Sequence, residues 1–365
     1  MSDAARTRVV VTGGAGFIGS ALVRHLFDET DWDILTIDLL TYAGRLENLE
    51  PVLDHPRHTF LKADIADQAE IRRTFLSYKP DVIFHLAAES HVDRSIDDAS
   101  AFIRTNVQGT FSLLKAALEL WRGSPDAARQ RFRFVHVSTD EVYGSLEPGQ
   151  FFSETSSYQP NSPYAASKAA ADMLVRSWFM TYGLPVLITN CSNNYGPRQF
   201  PEKLIPLAVL NLAEGRPVPV YGDGLQIRDW LHVEDHVSAL MAIANRGRPG
   251  QTYCIGGEAE TTNMDLVLRL CTIFDVLKPD AACHPHSGLI RHVKDRPGHD
   301  RRYATDIAKL RTEIGWAPAH RLDQGLESTV QWYLQNRTWC DAVGVPDARD
   351  RRGLGGAVAA PAMTG

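Results

Sequence analysis

Residues 8–19 read RVVVTGGAGFIG, and this stretch decides the fold. Five residues of strong strand propensity, Arg8 to Thr12, run directly into glycines at 13, 14, 16 and 19. The spacing satisfies G-x-G-x-x-G at 14, 16 and 19, and G-x-x-G-x-x-G at 13, 16 and 19. Glycines so placed permit a tight turn, let a backbone approach a pyrophosphate, and let the next helix pack close to the strand. That helix, opening at Phe17 and Ile18, offers its N-terminal N–H groups to the anion. The pattern alone is weak, because a glycine-rich turn needs no ligand. Its context is what counts: a strand precedes it, a helix follows, and Asp38 ends the next strand, 19 residues after Gly19. A carboxylate there accepts from ribose hydroxyls and repels a 2′-phosphate, so the expected cofactor is NAD rather than NADP.

Working outward, short apolar runs alternate with helical patterns through residue 190, the signature of a parallel sheet covered by helices. Strands are expected over 8–12, 34–38, 59–62, 82–86, 132–138 and 186–190, and helices over 17–29, 68–77, 97–121 and 163–182. In the third helix Ile103, Val107, Phe111, Leu114, Leu118 and Trp121 fall on one stripe. The fourth has Asn161 or Ser162 as cap, Pro163 in its first turn and Gly183 at its stop. The fold class is thus α/β, a Rossmann-type doubly wound parallel sheet with a smaller, mostly C-terminal substrate-binding lobe. Residues 1–190 form the nucleotide-binding domain, with 229–254 returning to it. Residues 191–228 and 255–340 form the second lobe, and 341–365, rich in small residues, a flexible tail.

Composition bounds the function. The chain has 365 residues, 44% of them apolar, and a net charge of −6, which disfavours a general nucleic-acid binder. Five cysteines without a C-x-x-C pair give neither a disulfide framework nor a zinc site, and no His-rich spacing supports any other metal. No apolar run approaches the ~18 residues of a membrane span, and the first residues lack a signal-type apolar core. The expectation is a cytoplasmic protein with no membrane partner.

Two further segments carry chemistry. Tyr164-Ala-Ala-Ser-Lys168 sets a phenol and an ammonium four residues apart on one helix face. A nearby cation favours phenolate, so Tyr164 can serve as a base on a sugar hydroxyl. In Ser138-Thr-Asp-Glu-Val-Tyr-Gly144, Asp140 and Glu141 follow an apolar strand, at the end where open α/β sheets bind ligands. Adjacent residues on an extended strand point opposite ways, so the chain must turn for both to reach one pocket. There, proximity would separate their pKa values into one neutral acid and one ionised base. A surface Tyr/Lys pair and a solvated acidic turn are the bland alternatives for each segment taken alone.

Together, TGGAGFIG, HLAAESHVDRSI, VSTDEVYG, YAASK, NCSNNYGPRQFPEKLIP, QIRDWLHVEDH and DRPGHDRRYA resemble the extended short-chain dehydrogenase/reductases. More narrowly they resemble the dTDP-glucose 4,6-dehydratases, in order from about Arg8 to Tyr333. Glycine loop and Y-x-x-x-K mark only the superfamily; Thr139-Asp140-Glu141 is the dehydratase mark. The resemblance implies that Tyr164 deprotonates the glucose 4-hydroxyl as hydride passes from C4 to NAD, with Thr139 bonded to that hydroxyl. Glu141 then removes the C5 proton, Asp140 protonates the departing 6-hydroxyl, and the hydride returns to C6.

By the same resemblance the NAD contacts are Gly13, Gly16, Phe17, Ile18, Gly19, Asp38, Leu39, Leu40, Thr41, Asp64, Ile65, Leu86, Ala87, Ala88, Glu89, Ser90, Thr105, Tyr164, Lys168 and Asn194. Leu39 departs from the basic residue relatives often carry there. The nucleotide-sugar contacts are Ser90, Thr139, Asn193, Lys203, Leu204, Pro219, Val220, Tyr221, Arg228, Asn263, Asp295, Arg296, Pro297, Gly298 and His299. A diphosphate in an acidic protein needs local cations, and Arg228 and Arg296 suit bidentate contact. The resemblance also implies a homodimer pairing 97–121 and 163–182 across a four-helix interface. The same scaffold admits two other enzymes, a nucleotide-sugar 4-epimerase or a dehydratase of another nucleotide diphosphate sugar. A non-catalytic NAD(H)-binding regulator would need neither the Tyr164/Lys168 nor the Asp140/Glu141 set.

Overall fold

The computed structural model describes residues 6–344. Six strands come first: β1 (Arg8–Thr12), β2 (Asp33–Asp38), β3 (His58–Lys62), β4 (Val82–His85), β5 (Arg133–Thr139) and β6 (Val186–Cys191). Each lies within one residue of its expected ends. The chain continues through β7 (Asn193–Tyr195), β8 (Val218–Tyr221), β9 (Ile227–His232), β10 (Thr252–Ile255), β11 (Glu260–Thr262) and β12 (Ile290–Val293). Seven strands form one sheet in the order β10-β6-β5-β4-β1-β2-β3, and every pairing in it is parallel.

A parallel sheet is covered on both faces, which is why β1, β4, β5 and β6 read as nearly unbroken apolar runs. One face packs on helices Phe17–Glu29 and Val233–Arg246, the other on Gln68–Tyr78, Thr110–Gly123 and Pro163–Tyr182. Phe84 and Phe134 are completely enclosed, and truncating either to Ala would cost about 3–5 kcal/mol. The strand order reverses between β1 and β4, so a crevice opens at their carboxyl ends.

The second lobe has its own apolar cluster, formed by helices Leu204–Ala213, Asn263–Leu277, Leu322–Gln335 and Arg337–Ala342. Two small sheets flank it, β11-β9-β7 and β12-β8. Residues 307–316 depart from the expected boundary. Ile307, Leu310, Ile314 and Trp316 pack into the core of the large sheet. The Trp316 indole donates to Ser238 Oγ at 2.8 Å, and Lys309 Nζ to the Thr252 carbonyl at 2.7 Å. At the other end, helix Arg337–Ala342 and the buried Val343 carry regular packing past residue 341, where the tail was expected to start. Its remainder, 345–365, lies outside the described residues.

The third predicted helix differs most. Residues 97–121 are not one α-helix: Val92–Asp97 ends separately, Ser100–Phe102 starts again, Ile103–Gly109 is wound with π-type turns, and only Thr110–Gly123 is regular. The stripe lies mostly toward the outside, with Leu118 and Trp121 only partly buried against the core. Of its six members only Leu114 is buried, and Ile103 is 53% exposed. Phe102, Asn106, Gly109, Thr110, Leu113, Ala117 and Leu120 face inward instead. Small residues are needed there: a Cβ on Gly109 would lie 2.5 Å from Ile65 Cδ1. The fourth helix has the caps read for it, with Ser162 Oγ accepting from the Ala165 N–H at 3.1 Å and Gly183 at φ +73°.

Candidate active site

At the end of β1 the chain must reverse in a space too tight for a side chain. Gly13 has φ +72°, and a Cβ there would lie 2.6 Å from Ala87 N. Gly19 meets the carbonyl of Gly13 even more closely, its hypothetical Cβ being 2.1 Å from that oxygen. Behind the turn His85 bridges Thr12 Oγ1 (2.8 Å) and Thr110 Oγ1 (2.9 Å), and full burial keeps its imidazole neutral, with a strongly lowered pKa. Asp38 accepts from the Ala15 N–H at 3.0 Å and the Leu40 N–H at 2.8 Å, which fixes its carboxyl at the mouth of the turn.

Gly13, Gly16, Gly19 and Asp38 line a cavity of about 330 Å³ together with Phe17, Ile18, Leu39, Thr41, Asp64, Ile65, Leu86 to Ser90, Thr105, Thr139 to Glu141, Tyr164, Lys168 and Asn194. The glycine cradle, the strand-end carboxyl and the neighbouring helix N-terminus fit a dinucleotide. Leu40, expected among the contacts, stays out of the cavity: with φ +57° it serves Asp38 through its N–H.

A second cavity of about 410 Å³ adjoins the first and shares Ser90, Glu141, Asn193 and Lys203 with it. Leu204, Val220, Tyr221, Arg228, Asn263, Arg296 and His299 complete the part expected from sequence. Pro219, Asp295, Pro297 and Gly298 do not line it; Asp295 works from behind, its Oδ1 2.6 Å from His299 Nδ1. Arg228 is pinned by the Asp300 carbonyl at 2.9 Å and lies 4.2 Å over the Tyr303 ring. Arg296 pairs with Asp93 at 3.6 Å.

The catalytic candidates meet where the cavities join. Residues 140–143 form a 3₁₀ turn after β5, and Thr139 Oγ1 accepts from the Glu141 N–H at 3.3 Å. The turn lets both carboxyls face inward, but into different surroundings. Asp140 is enclosed, its Oδ2 has no hydrogen-bond partner, and burial followed by Glu141 and Asp229 pushes its pKa well up. Glu141 is raised by burial too, yet Arg296, Arg228 and Lys203 oppose the rise. Both carboxyls are thus raised by burial, with more cations set against the rise at Glu141 than at Asp140.

Burial, then the Glu141 charge, raise the Tyr164 phenol well above the ordinary value, while the Thr139 hydrogen bond opposes them. Lys168 Nζ donates to the Val137 carbonyl at 2.8 Å.

Several lining residues escaped the sequence reading. Tyr42 OH donates to Glu202 Oε1 at 2.9 Å, His91 Nε2 lies 3.3 Å from Glu202 Oε2, and the Arg94 guanidinium sits 3.7 Å over the Tyr42 ring. This group closes the wall between the two cavities. Its members come from three segments, around Tyr42, His91 to Arg94 and Glu202, so their meeting is not visible in any one stretch. Among the described residues, His232, Glu234 and His320 come close enough to suggest a metal. The two imidazoles stack at 4.1 Å and 23°, however, so their in-plane lone pairs do not converge.

Comparison with known proteins agrees with this geometry. The family model described as GDP-mannose 4,6 dehydratase matches residues 10–329. A dTDP-glucose 4,6-dehydratase of Neisseria gonorrhoeae is 54% identical over 341 residues, 93% of this chain and 99% of that protein. Among solved structures, a dTDP-glucose 4,6-dehydratase of Streptomyces venezuelae with NAD bound superposes with TM-score 0.84 at 46% identity, covering 92% of this chain and 100% of that one. A UDP-glucose 4-epimerase of Thermotoga maritima reaches TM-score 0.80 at 28% identity, covering 91% and 100%. The fold is thus shared by two chemistries, and the site must decide between them.

Proposed function

The chain belongs to the GDP-mannose 4,6-dehydratase family, and from that premise we propose that it is an NAD-dependent hydro-lyase converting dTDP-glucose to dTDP-4-keto-6-deoxy-glucose. One observation carries the choice of reaction. Asp140 and Glu141 turn into the same junction beside Tyr164, one where its proton is retained and one against three cations. An epimerase, which only removes and returns hydrogen at C4, has no use for that pair.

Gly13, Gly16 and Gly19 would hold the NAD pyrophosphate, Asp38 the adenosine ribose, and Lys168 the nicotinamide ribose. Bound NAD would supply the hydride acceptor. Tyr164 takes the proton of the sugar 4-hydroxyl, with the Thr139 hydroxyl steadying the developing charge. Once C4 is a ketone, the C5 proton is acidic and Glu141 removes it. Asp140, still protonated, delivers its proton to the departing 6-hydroxyl; the hydride taken from C4 would then return to C6 while Glu141 gives a proton back to C5. Arg228, Arg296 and Lys203 would neutralise the diphosphate, and His299 and Asn263 would face the nucleoside.

Incubation with dTDP-glucose tests this directly: a product lighter by one water supports the reading, and a product of unchanged mass replaces it with epimerisation. A homodimer is the assembly we propose. Ile103, Met173, Met180 and Tyr182 leave an exposed apolar band across helices Ile103–Gly109 and Pro163–Tyr182. Sedimentation of Met180→Asp at the same mass as the unmodified protein would refute it. The net charge of −6 supports no nucleic-acid partner, and the five free cysteines support a cytoplasmic setting. Among the described residues no helix is long and apolar enough to cross a membrane.

A further inference from the structure

One buried carboxyl has no place in the chemistry above. Asp172 is completely enclosed and sits in helix Pro163–Tyr182, one turn beyond Lys168 and two beyond Tyr164. It faces the strands that carry the reacting loop. Its Oδ1 accepts from His136 Nε2 at 3.0 Å. Its Oδ2 accepts from Ser138 Oγ at 2.8 Å, Tyr158 OH at 2.9 Å and Asn190 Nδ2 at 3.3 Å. Asn190 passes the connection on, since its Nδ2 also donates to the Thr139 carbonyl at 3.1 Å and its Oδ1 accepts from Tyr143 OH at 3.2 Å. One side chain therefore ties together β5, β6, the 158 loop and the helix.

An apolar residue of the same size would pack this space without four donors to satisfy, so the network costs desolvation that packing alone does not require. What it adds is registration. Tyr164 and Lys168 come from the helix, whereas Thr139, Asp140 and Glu141 come from the end of β5. Lys168 to Val137 O and Asp172 to Ser138 and His136 are successive rungs between those two elements. We propose that Asp172 is a positioning residue that holds the Tyr164/Lys168 pair in phase with the Thr139–Asp140–Glu141 turn and serves as the buried counter-charge of Lys168. The inference rests on the dehydratase reading given above.

The counter-charge part has a sign that can be read. The Lys168 ammonium is faced by Asp172 on its own helix, by Cys191 on β6, and by His85 on β4 and His136 on β5. Burial makes its proton easier to lose, and Asp172 is the first of the groups opposing that loss. Removing the charge lets Lys168 deprotonate at lower pH.

The experiment follows reduction of bound NAD by dTDP-glucose, against pH, in the holoenzyme. Asp172→Asn keeps the shape and removes the charge. It should lower kcat about 10–100-fold, as small misplacements of reacting groups do, with KM nearly unchanged. It should also move the alkaline limb of the profile to lower pH. Ser138→Ala and Tyr158→Phe each remove one hydrogen bond but not the charge, so each should lower kcat several-fold and leave the limb in place. A fall in thermal stability with an unmoved limb in Asp172→Asn would reduce Asp172 to a structural residue. Should that variant not fold, unchanged kcat in both other variants overturns the inference. Absence of any dehydration by the unmodified protein is a separate failure, and belongs to the functional reading.

Discussion

Replacing Glu141 with Gln isolates the step that separates dehydration from epimerisation. Gln has nearly the same shape but cannot accept the C5 proton. Position-specific acid–base groups contribute ~10²–10⁴-fold, or about 3–5 kcal/mol of barrier. Burial, the first cause of the raised Asp140 value, persists in the variant, so Asp140 is a poor substitute base, which favours the upper part of that range. The substitution also has a predictable effect on the earlier step. Glu141 is a leading cause of the raised Tyr164 value, so losing its charge makes the phenol easier to ionise. Oxidation at C4 should therefore survive, and it should extend to lower pH than in the unmodified enzyme. Mixed with dTDP-glucose in a single turnover, the variant should accumulate bound NADH, seen by its absorbance, and release little 6-deoxy product. In heavy water the unmodified enzyme should place solvent deuterium at C5, and the variant should do so at least a hundredfold more slowly, by the same ~10² lower bound. Normal deuterium incorporation with normal turnover would show that another group is the base and remove the main support for the reaction proposed.

Tyr164→Phe keeps the ring and should keep NAD bound, while reduction by substrate slows by ~10²–10⁴-fold; reduction at the normal rate would exclude Tyr164 as the base. Gly19→Ala brings a methyl to within 2.1 Å of the Gly13 carbonyl, so NAD should be lost on desalting; a full complement of retained NAD would contradict the cradle. Asp140→Asn should abolish elimination yet raise Tm. Because the folded-state pKa of Asp140 is raised, its stabilising share is complete at low pH and lost as pH rises through that value. The gain in Tm should accordingly be larger at alkaline than at mildly acidic pH, and an equal gain at both would refute the assignment.

What the sequence made legible was local. The glycine loop, Y-x-x-x-K and the Thr-Asp-Glu turn each lie within a few residues, so their chemistry can be read without knowing what packs on them. The strands of the large sheet were equally readable, because burial on both faces leaves continuous apolar runs. Contacts between distant loops were not. Tyr42, His91 and Glu202 come from three segments, and nothing in any one of them announces the other two. Asp172 is different, for a signal existed: a carboxyl at the i+4 position from Lys168, on a face otherwise made of Tyr164, Ala165, Ala169, Ala171 and Val175. The stripe of 97–121 left open which side of the segment meets the sheet. That segment is apolar on two sides, and periodicity cannot tell which side meets the sheet when the inner one is built from Gly109, Thr110 and Ala117.

The order of strands across the sheet also governs how the chain is built. β6 is buried along its whole length, and its outer edge is covered by β10, which is synthesised only after the chain has left for the second lobe and returned. During synthesis the first six strands must wait with an open, apolar edge until Thr252 to Ile255 arrive. Such an edge is a template for pairing with another chain, and late, non-local strand addition is intrinsically slow. A chain ended at Ser192 should therefore scatter light on refolding, whereas one reaching past Ile255 closes its own edge. The excursion that furnishes the substrate cavity thus leaves the newborn protein with a period of vulnerability on the ribosome.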